Sequence, residues 1–377
     1  MLEGPGFLVT ILSFLLVIGP LVFIHEYGHY FAGRMFGVKA ETFSIGFGRE
    51  LFGWTDKRGT RWKVGWLQLG GYVKFKGDMN PASVPSDEWL SLPPEERAQT
   101  FQAKPLWQRA IIVAAGPFTN FLFAILAFVA IFAFMGYPTM PALLTQVQPG
   151  SVAQQAGFRA GDEVVAVNGN GIDTFADLTE YIRLRPEQRM TFTVERAGGR
   201  VDLAAAPRAK TYRDKFGNEA RIGELGVTST ALVLSKLPPG ELVTTAIGYT
   251  FGIVRTTVVA IGQIIAGSRS TKELGGPLKM AQLSGQQATL GGLDFVFFMA
   301  AISINLGFIN LLPIPLLDGG HLTFYAIEAV RRKPLKPKAQ EWAFRTGLAA
   351  LLALMLFVTL NDLASFGLWT KLGGLIG

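Results

Sequence analysis

The sequence predicts an α-helical polytopic membrane protein of about four transmembrane helices, with a membrane-associated β-hairpin or sheet and one small α+β domain inserted between spans. Three observations carry this. Of the 377 residues, 49% are hydrophobic and only 17% charged, which is less charge than soluble chains carry. From Phe7 to Ile24 there is no charged residue, a stretch long enough to cross hydrocarbon as a helix. Between the second and third apolar runs lie about 150 residues of soluble character, too many for a loop and enough for a domain with connectors.

Taken in order, residues 1–33 form the first span. No basic region precedes it and no small-residue cleavage site closes it, so it is expected to be retained rather than removed as a signal peptide. Residues 34–105 carry a β region that is cytoplasmic or re-enters the membrane. Within it, residues 59–76 (GTRWKVGWLQLGGYVKFK) alternate around Trp62, Val64 and Trp66 and restart after Gly70-Gly71, a hairpin-like pattern. The second span occupies 106–137, around the apolar run 110–135. The inserted domain takes 138–208, and a connector, 209–290, contains an amphipathic helix at 242–266, where Arg255 argues against crossing. The third span lies in 291–330. A basic loop (RRKPLKPK, 331–338) and the fourth span complete 331–377. Twelve Lys or Arg fall between Arg34 and Arg109, so the positive-inside rule places that loop in the cytoplasm and the inserted domain on the outer side. The net charge of +7 then belongs to loops facing anionic headgroups, and no nucleic acid partner is expected. With no cysteine in the chain, disulfides, thiolate nucleophiles and Cys-ligated metals are excluded.

The chemistry concentrates in few residues. Two of the three histidines are His25 and His29, flanking Glu26 in HEYGH. On a helix, residues four apart share a face, so both imidazoles can hold one Zn²⁺ while Glu26 sits beside the open ligand position as general base. A catalytic zinc needs a third protein ligand. In NLGFINLLPIPLLDGGH, residues 305–321, Asp318 is an isolated carboxylate in an apolar run, and a cation would offset its burial. Pro313 and Pro315 break the helix, and Gly319-Gly320 allow close backbone approach. Two alternatives stand beside it: Asp318 as a helix cap, and His321 as the third ligand. For cleavage within a membrane helix, the activity that the family resemblance given below implies, the substrate helix must open, and the edge of the 59–76 segment, at Trp66, Leu69 and Tyr72, is where it would pair as a strand.

Residues 156–169 (AGFRAGDEVVAVNG), with a helix expected at about 174–184, resemble the PDZ domain carried by bacterial proteases, which binds extended peptides or chain ends. HEYGH on a first span, the PDZ-like insertion, and the N-x-x-P-x-P-x-L-D-G pattern on a later span together resemble the site-2 protease family of zinc intramembrane metalloproteases, in particular its bacterial RseP-type members. The resemblance extends to GGYVKF (70–75), which in that family belongs to a membrane-reentrant sheet, and to AGPFTNF (115–121). It implies His25, His29 and Asp318 as zinc ligands, Glu26 as base and Asn310 as a residue that holds substrate. It further implies a multi-pass protein of the bacterial inner membrane acting in regulated intramembrane proteolysis. Its substrates would be single-span proteins in the bilayer, such as a pre-trimmed anti-sigma factor or remnant signal peptides. One departure is clear: many such enzymes carry tandem PDZ domains, and this insertion has room for one. Two other classes compete. A membrane-anchored PDZ adaptor with a non-catalytic zinc would have a site closed by four protein ligands, and a transporter would show internal repeats.

Overall fold

The computed structural model describes residues 6–78, 87–213, 219–271, 275–333, 335 and 337–365. The chain divides into two compact units, Met1–Ile131 with Gly240–Gly377, and Phe132–Pro239.

Helix α1, Phe7–Met35, has 29 residues, about 43 Å at 1.5 Å per residue, more than the ~30 Å of bilayer hydrocarbon. Its buried positions Ser13, Val17, Leu21, His25, Gly28 and Ala32 recur every three or four residues and form one packed stripe. Phe7, Leu8, Leu12, Leu16 and Phe31 are exposed. The apolar side faces outward and the polar groups lie on the packed side, as a lipid environment demands. Strands β1, Ala40–Thr55, and β2, Arg61–Phe75, follow.

The β region differs from the expected hairpin. Residues 59–76 do not pair with themselves; the partner is β1, which the sequence pattern does not announce. Thr55↔Arg61 to Glu50↔Gly65 form one antiparallel arm, and Ala40↔Phe75 to Ile45↔Gly71 form another. Thr42–Ile45 also run beside Arg61–Val64 in ascending register. The segments therefore stand in the order 50–55, 61–65, 40–45, 71–75, and 71–75 is an edge. Phe43, Val73 and Phe75 pack with Tyr30 of α1 and with Phe101, while Leu51, Phe52 and Trp54 are exposed. A short helix α2, Pro94–Arg97, precedes α3, Leu106–Met135.

The second unit has its own core of Leu144, Val164, Val167, Leu178, Phe192 and Val194. Its four-stranded antiparallel sheet runs Asn170–Gly171, Glu163–Val167, Met190–Arg196, Gly199–Ala205. Asn168 and Gly169, at φ 51° and 79°, turn the first hairpin as an Asn-Gly pair does. Ser151 caps α4, Val152–Gln155, and a Thr174/Asp177 capping box opens α5, Phe175–Arg183. The architecture is PDZ-like. It extends beyond residue 208: Arg208–Arg213 pairs with Glu219–Glu224, Val227 pairs with Val147, and Leu225 is in the core.

Returning to the first unit, α6 is Pro239–Ile265, α7 Pro277–Leu290, α8 Gly292–Asn310, α9 Asp318–Arg331 and α10 Pro337–Ser365. Five helices among the described residues are long and apolar enough to cross a membrane: α1, α3, α6, α8 and α10. The addition to the four read from sequence is α6. Tyr249 packs on Phe128 of α3 and Phe297 of α8, and Thr257 Oγ1 donates to Asn305 Oδ1 at 3.0 Å. The contacts advance eight residues together, so α6 descends alongside α8. Asn361 donates to the Thr271 carbonyl, and Asp362 accepts from the Gly276 and Lys279 N–H groups at 3.0 Å, all near the C-terminal end of α10. Arg109 pairs with Glu328 and joins the start of α3 to the end of α9.

In the PDZ-like unit, Asp162 is 1% exposed and receives Arg196 Nε and Nη2 at 2.7 and 2.8 Å. Burial favours its neutral form, but hydrogen bonds from Arg196 and from the Arg159 N–H outweigh this and hold its carboxyl below the usual range. A folded-state pKa below the unfolded one means the stabilisation is complete above the ordinary carboxylate range and is lost as pH falls through the lowered value. Asp162→Asn should destabilise the 132–239 unit by about 1.5–3 kcal/mol at neutral pH, and this deficit should shrink on acidification. Thermal melts of the two forms at pH 7 and in acid check it; an equal deficit at both would contradict the assignment.

Candidate active site

Three helices build the site. α1 supplies His25, Glu26 and His29 from its packed stripe, α3 lies against that stripe, and the turn after α8 delivers Asp318. The close approach of α1 and α3 depends on glycine. A Cβ on Gly28 would lie 2.4 Å from the Ala115 carbonyl oxygen, and one on Gly116 would lie 2.2 Å from His29 Nε2. Thr119 Oγ1 donates across the contact to the Ile24 carbonyl at 2.9 Å. Small residues and cross-helix hydrogen bonds are how helices associate where lipid removes the hydrophobic drive.

After Asn310 the chain turns through Leu311–Leu317, with Leu316 held at φ 82°, and restarts as α9 at Asp318. A Cβ on Gly319 would meet the Leu311 and Leu312 carbonyl oxygens at 2.3 Å, and one on Gly320 the Ile314 carbonyl oxygen at 2.4 Å. The Gly pair lets the helix fold back on its own turn, and the carboxylate emerges toward α1. No side-chain cap closes α9 at Leu317, so Asp318 is not spent as a helix cap.

His25 Nε2 stands 3.1 Å from Asp318 Oδ2, His29 Nε2 3.5 Å from Asp318 Oδ1, and the two Nε2 atoms are 3.3 Å apart. Among the described residues these three form the group of ligand atoms that converges within 4.8 Å. A tetrahedral ion with ligands at ~2.05 Å requires donors about 3.3 Å apart. The carboxylate also calls for a cation: Asp318 Oδ2 is buried and, although near His25, has no hydrogen-bond partner. The donor set therefore fits zinc. His29 Nδ1 donates to the Ile112 carbonyl at 2.9 Å, and His25 Nδ1 faces the Asn120 amide at 3.0 Å.

A cavity of about 510 Å³ opens beside the triad. Glu26, Tyr72, Asn310 and His321 share its wall with the three donors. Gly71 makes room for the base, since a Cβ there would lie 2.9 Å from Glu26 Cγ. His321 packs toward Phe344 at 5.2 Å and stands outside the donor group. Trp66 is not brought to the cavity: it is 61% exposed and lies against Gly48. It sits where β2 changes from one β1 arm to the other, which turns it away. The Leu69 side chain lies outside the described residues. The reading from sequence missed Asn120, the Ile112 carbonyl and the spacing glycines Gly28 and Gly116. An uncompensated Asn inside a span was the available signal for Asn120.

Residues 13–354 match the model of peptidase family M50. A protein named as a zinc metalloprotease in Agrobacterium fabrum is 44% identical over 370 residues, covering 97% of this chain and 98% of that one. Metalloprotease MmpA of Caulobacter vibrioides is 37% identical over 400 residues, covering 98% and 99%. Among solved structures, the PDZ domain of the SdrC-like protein from Listeria monocytogenes matches at a TM-score of 0.18 and 17% identity, over 25% of this chain and 90% of that one.

The glycine contact gives a direct check. Gly116→Ala places a methyl group on His29 Nε2, so the purified variant should carry well under half the zinc of the wild type by elemental analysis. Full zinc occupancy in the variant would contradict this packing.

Proposed function

The chain belongs to peptidase family M50, and from that premise we propose that it is an intramembrane endopeptidase cutting the membrane-spanning segments of single-span proteins. It is a multi-pass membrane zinc metalloprotease; the intramembrane substrate, the residue roles and the setting are our reading. The observation that carries it is one juxtaposition. A largely buried donor triad, a buried Glu26 and the edge segment 71–75 share one cavity between membrane helices.

His25, His29 and Asp318 would hold the zinc. When bound, zinc supplies a Lewis acid that polarises the scissile carbonyl and brings the pKa of water toward neutrality. Glu26 takes a proton from the attacking water on its carboxylate and returns it to the leaving nitrogen. The apolar wall around Glu26 excludes bulk solvent, which strengthens each of these interactions. A substrate helix hides its peptide bonds, so it must unwind, and strand addition to an edge satisfies the freed backbone groups. Segment 71–75 pairs only with β1 among the described residues, which leaves its second edge for that role. Tyr72 flanks the added strand, and Asn310 donates to or accepts from its backbone.

The family context supports substrates such as a pre-trimmed anti-sigma factor or remnant signal peptides, cut within regulated intramembrane proteolysis in a bacterial inner membrane. Charge distribution supports cytoplasmic placement of 34–105 and 331–338. The PDZ-like unit then lies on the outer side, where it would receive a peptide or chain end.

Tyr72→Pro and Asn310→Ala should each lower cleavage of a single-span test substrate about 2- to 10-fold, the loss expected for one backbone-directed hydrogen bond, with zinc content unchanged. Wild-type cleavage at normal protein levels would contradict the edge-strand reading.

A further inference from the structure

Zinc binding through Nε2 places a demand on the far side of each imidazole. Nε2 must present its lone pair to the metal, so the ring proton has to reside on Nδ1, and Nδ1–H then needs an acceptor. For His29 that acceptor is plain: the Ile112 carbonyl, 2.9 Å away, can only accept. For His25 the neighbour is the Asn120 amide, whose Nδ2 lies 3.0 Å from Nδ1. With nitrogen there, two donors would face one another. Meanwhile Asn120 Oδ1 is buried with no hydrogen-bond partner. Turning the amide by half a turn relieves both faults, because the oxygen then meets Nδ1–H. Which end of an amide faces a neighbour is assigned from the hydrogen-bond network, and here the ring's duty decides it.

We propose that Asn120 is a positioning residue of the zinc site: its Oδ1 accepts the Nδ1–H of His25 and holds that ring in the tautomer whose Nε2 faces Asp318 and His29. The inference rests on the zinc-protease reading of the site. Asn120 is placed for the task. It is fully buried on α3, one residue after Thr119, which bridges to α1. Its backbone carbonyl accepts from Ser303 Oγ of α8 at 2.9 Å, and Gly307 comes within contact of its Cβ position. The Asn120 backbone is tied to α8 while its amide faces α1, which anchors the residue beside His25.

Two substitutions separate this role from simple packing. Asn120→Asp keeps an acceptor and removes the donor; Asn120→Leu keeps the volume and removes both. Purified full-length protein in detergent would be titrated with Co²⁺, following its visible absorption bands, and with Zn²⁺ in competition with a chromogenic chelator. Asn120→Leu should bind zinc about 10- to 100-fold more weakly, the usual loss for such an outer partner, with altered cobalt bands. Asn120→Asp should bind at least as tightly as the wild type and keep its spectrum. Wild-type affinity in Asn120→Leu would overturn the proposal. So would equal loss in both variants, because a donating amide, unlike an accepting one, cannot be replaced by a carboxylate. A wild-type chain that binds neither metal would instead overturn the zinc-site reading on which the proposal rests.

Discussion

A carboxylate and two imidazoles are held together at the packed centre of helices whose outer surfaces are apolar, and this placement is the constraint on which the rest of the structure depends. Without a cation, Asp318 would face only the two imidazoles, at 3.1 and 3.5 Å, with Oδ2 lacking a hydrogen-bond partner, an unfavourable condition for a carboxylate away from water. With a divalent ion among His25, His29 and Asp318, the same three groups become mutually attractive. An ion held by these three groups would act structurally as well as chemically, joining the first membrane helix to the turn between α8 and α9, elements almost three hundred residues apart in the chain.

Bringing those elements within bonding reach accounts for the small residues around the site. Gly28 and Gly116 bring α1 and α3 close, Gly71 admits the Glu26 side chain, and Gly319-Gly320 fold α9 back over its turn. On α10, Gly347 accommodates Pro315, whose ring a Cβ would approach at 2.7 Å. A methyl group at Gly116 would strike His29 and one at Gly71 would strike Glu26, while at the others it would strike the backbone or side chain packed against it. The polar groups of α1 at the site are met from α3, by the Ile112 carbonyl, Thr119 and Asn120, and from Asp318. A set of three protein donors beside a cavity also suits a catalytic metal better than a structural one, which normally closes with four.

Much of this was legible in the sequence because it rests on short-range rules. The i, i+4 spacing of HEYGH places two imidazoles on one helix face, and a lone Asp among Pro, Leu and Gly calls for a partner. The turn and strand signals of residues 156–169 likewise depend on local chemistry, as Asn168-Gly169 shows. What was not legible depends on distant pairing. β1 contains four glycine or charged interruptions in its second half and lacks clean alternation, and it becomes a strand only because both arms of β2 flank it. Residues 208–235 join the PDZ-like unit through Leu225 and Val227, whose partners lie eighty residues earlier. In α6, Arg255 argued against a span, and only the contacts of Tyr249 and Thr257 with α3 and α8 show the helix packed against spans. Asn120 was visible as a letter in AGPFTNF, while its role required knowing which ring stood opposite.

The central claim, that this triad and Glu26 cut peptide bonds inside the membrane, is tested most directly in lipid. A short single-span substrate without a bulky outer domain is reconstituted with the wild-type protein or with Glu26→Gln, and its size is followed while zinc is measured in both. Loss of a general base removes about 10²- to 10⁴-fold in rate. The account predicts cleavage by the wild type, loss of cleavage on that scale in Glu26→Gln, and equal zinc in the two. Equal cleavage by both proteins, or no cleavage by a zinc-loaded wild type across several unstable substrate helices, would contradict it.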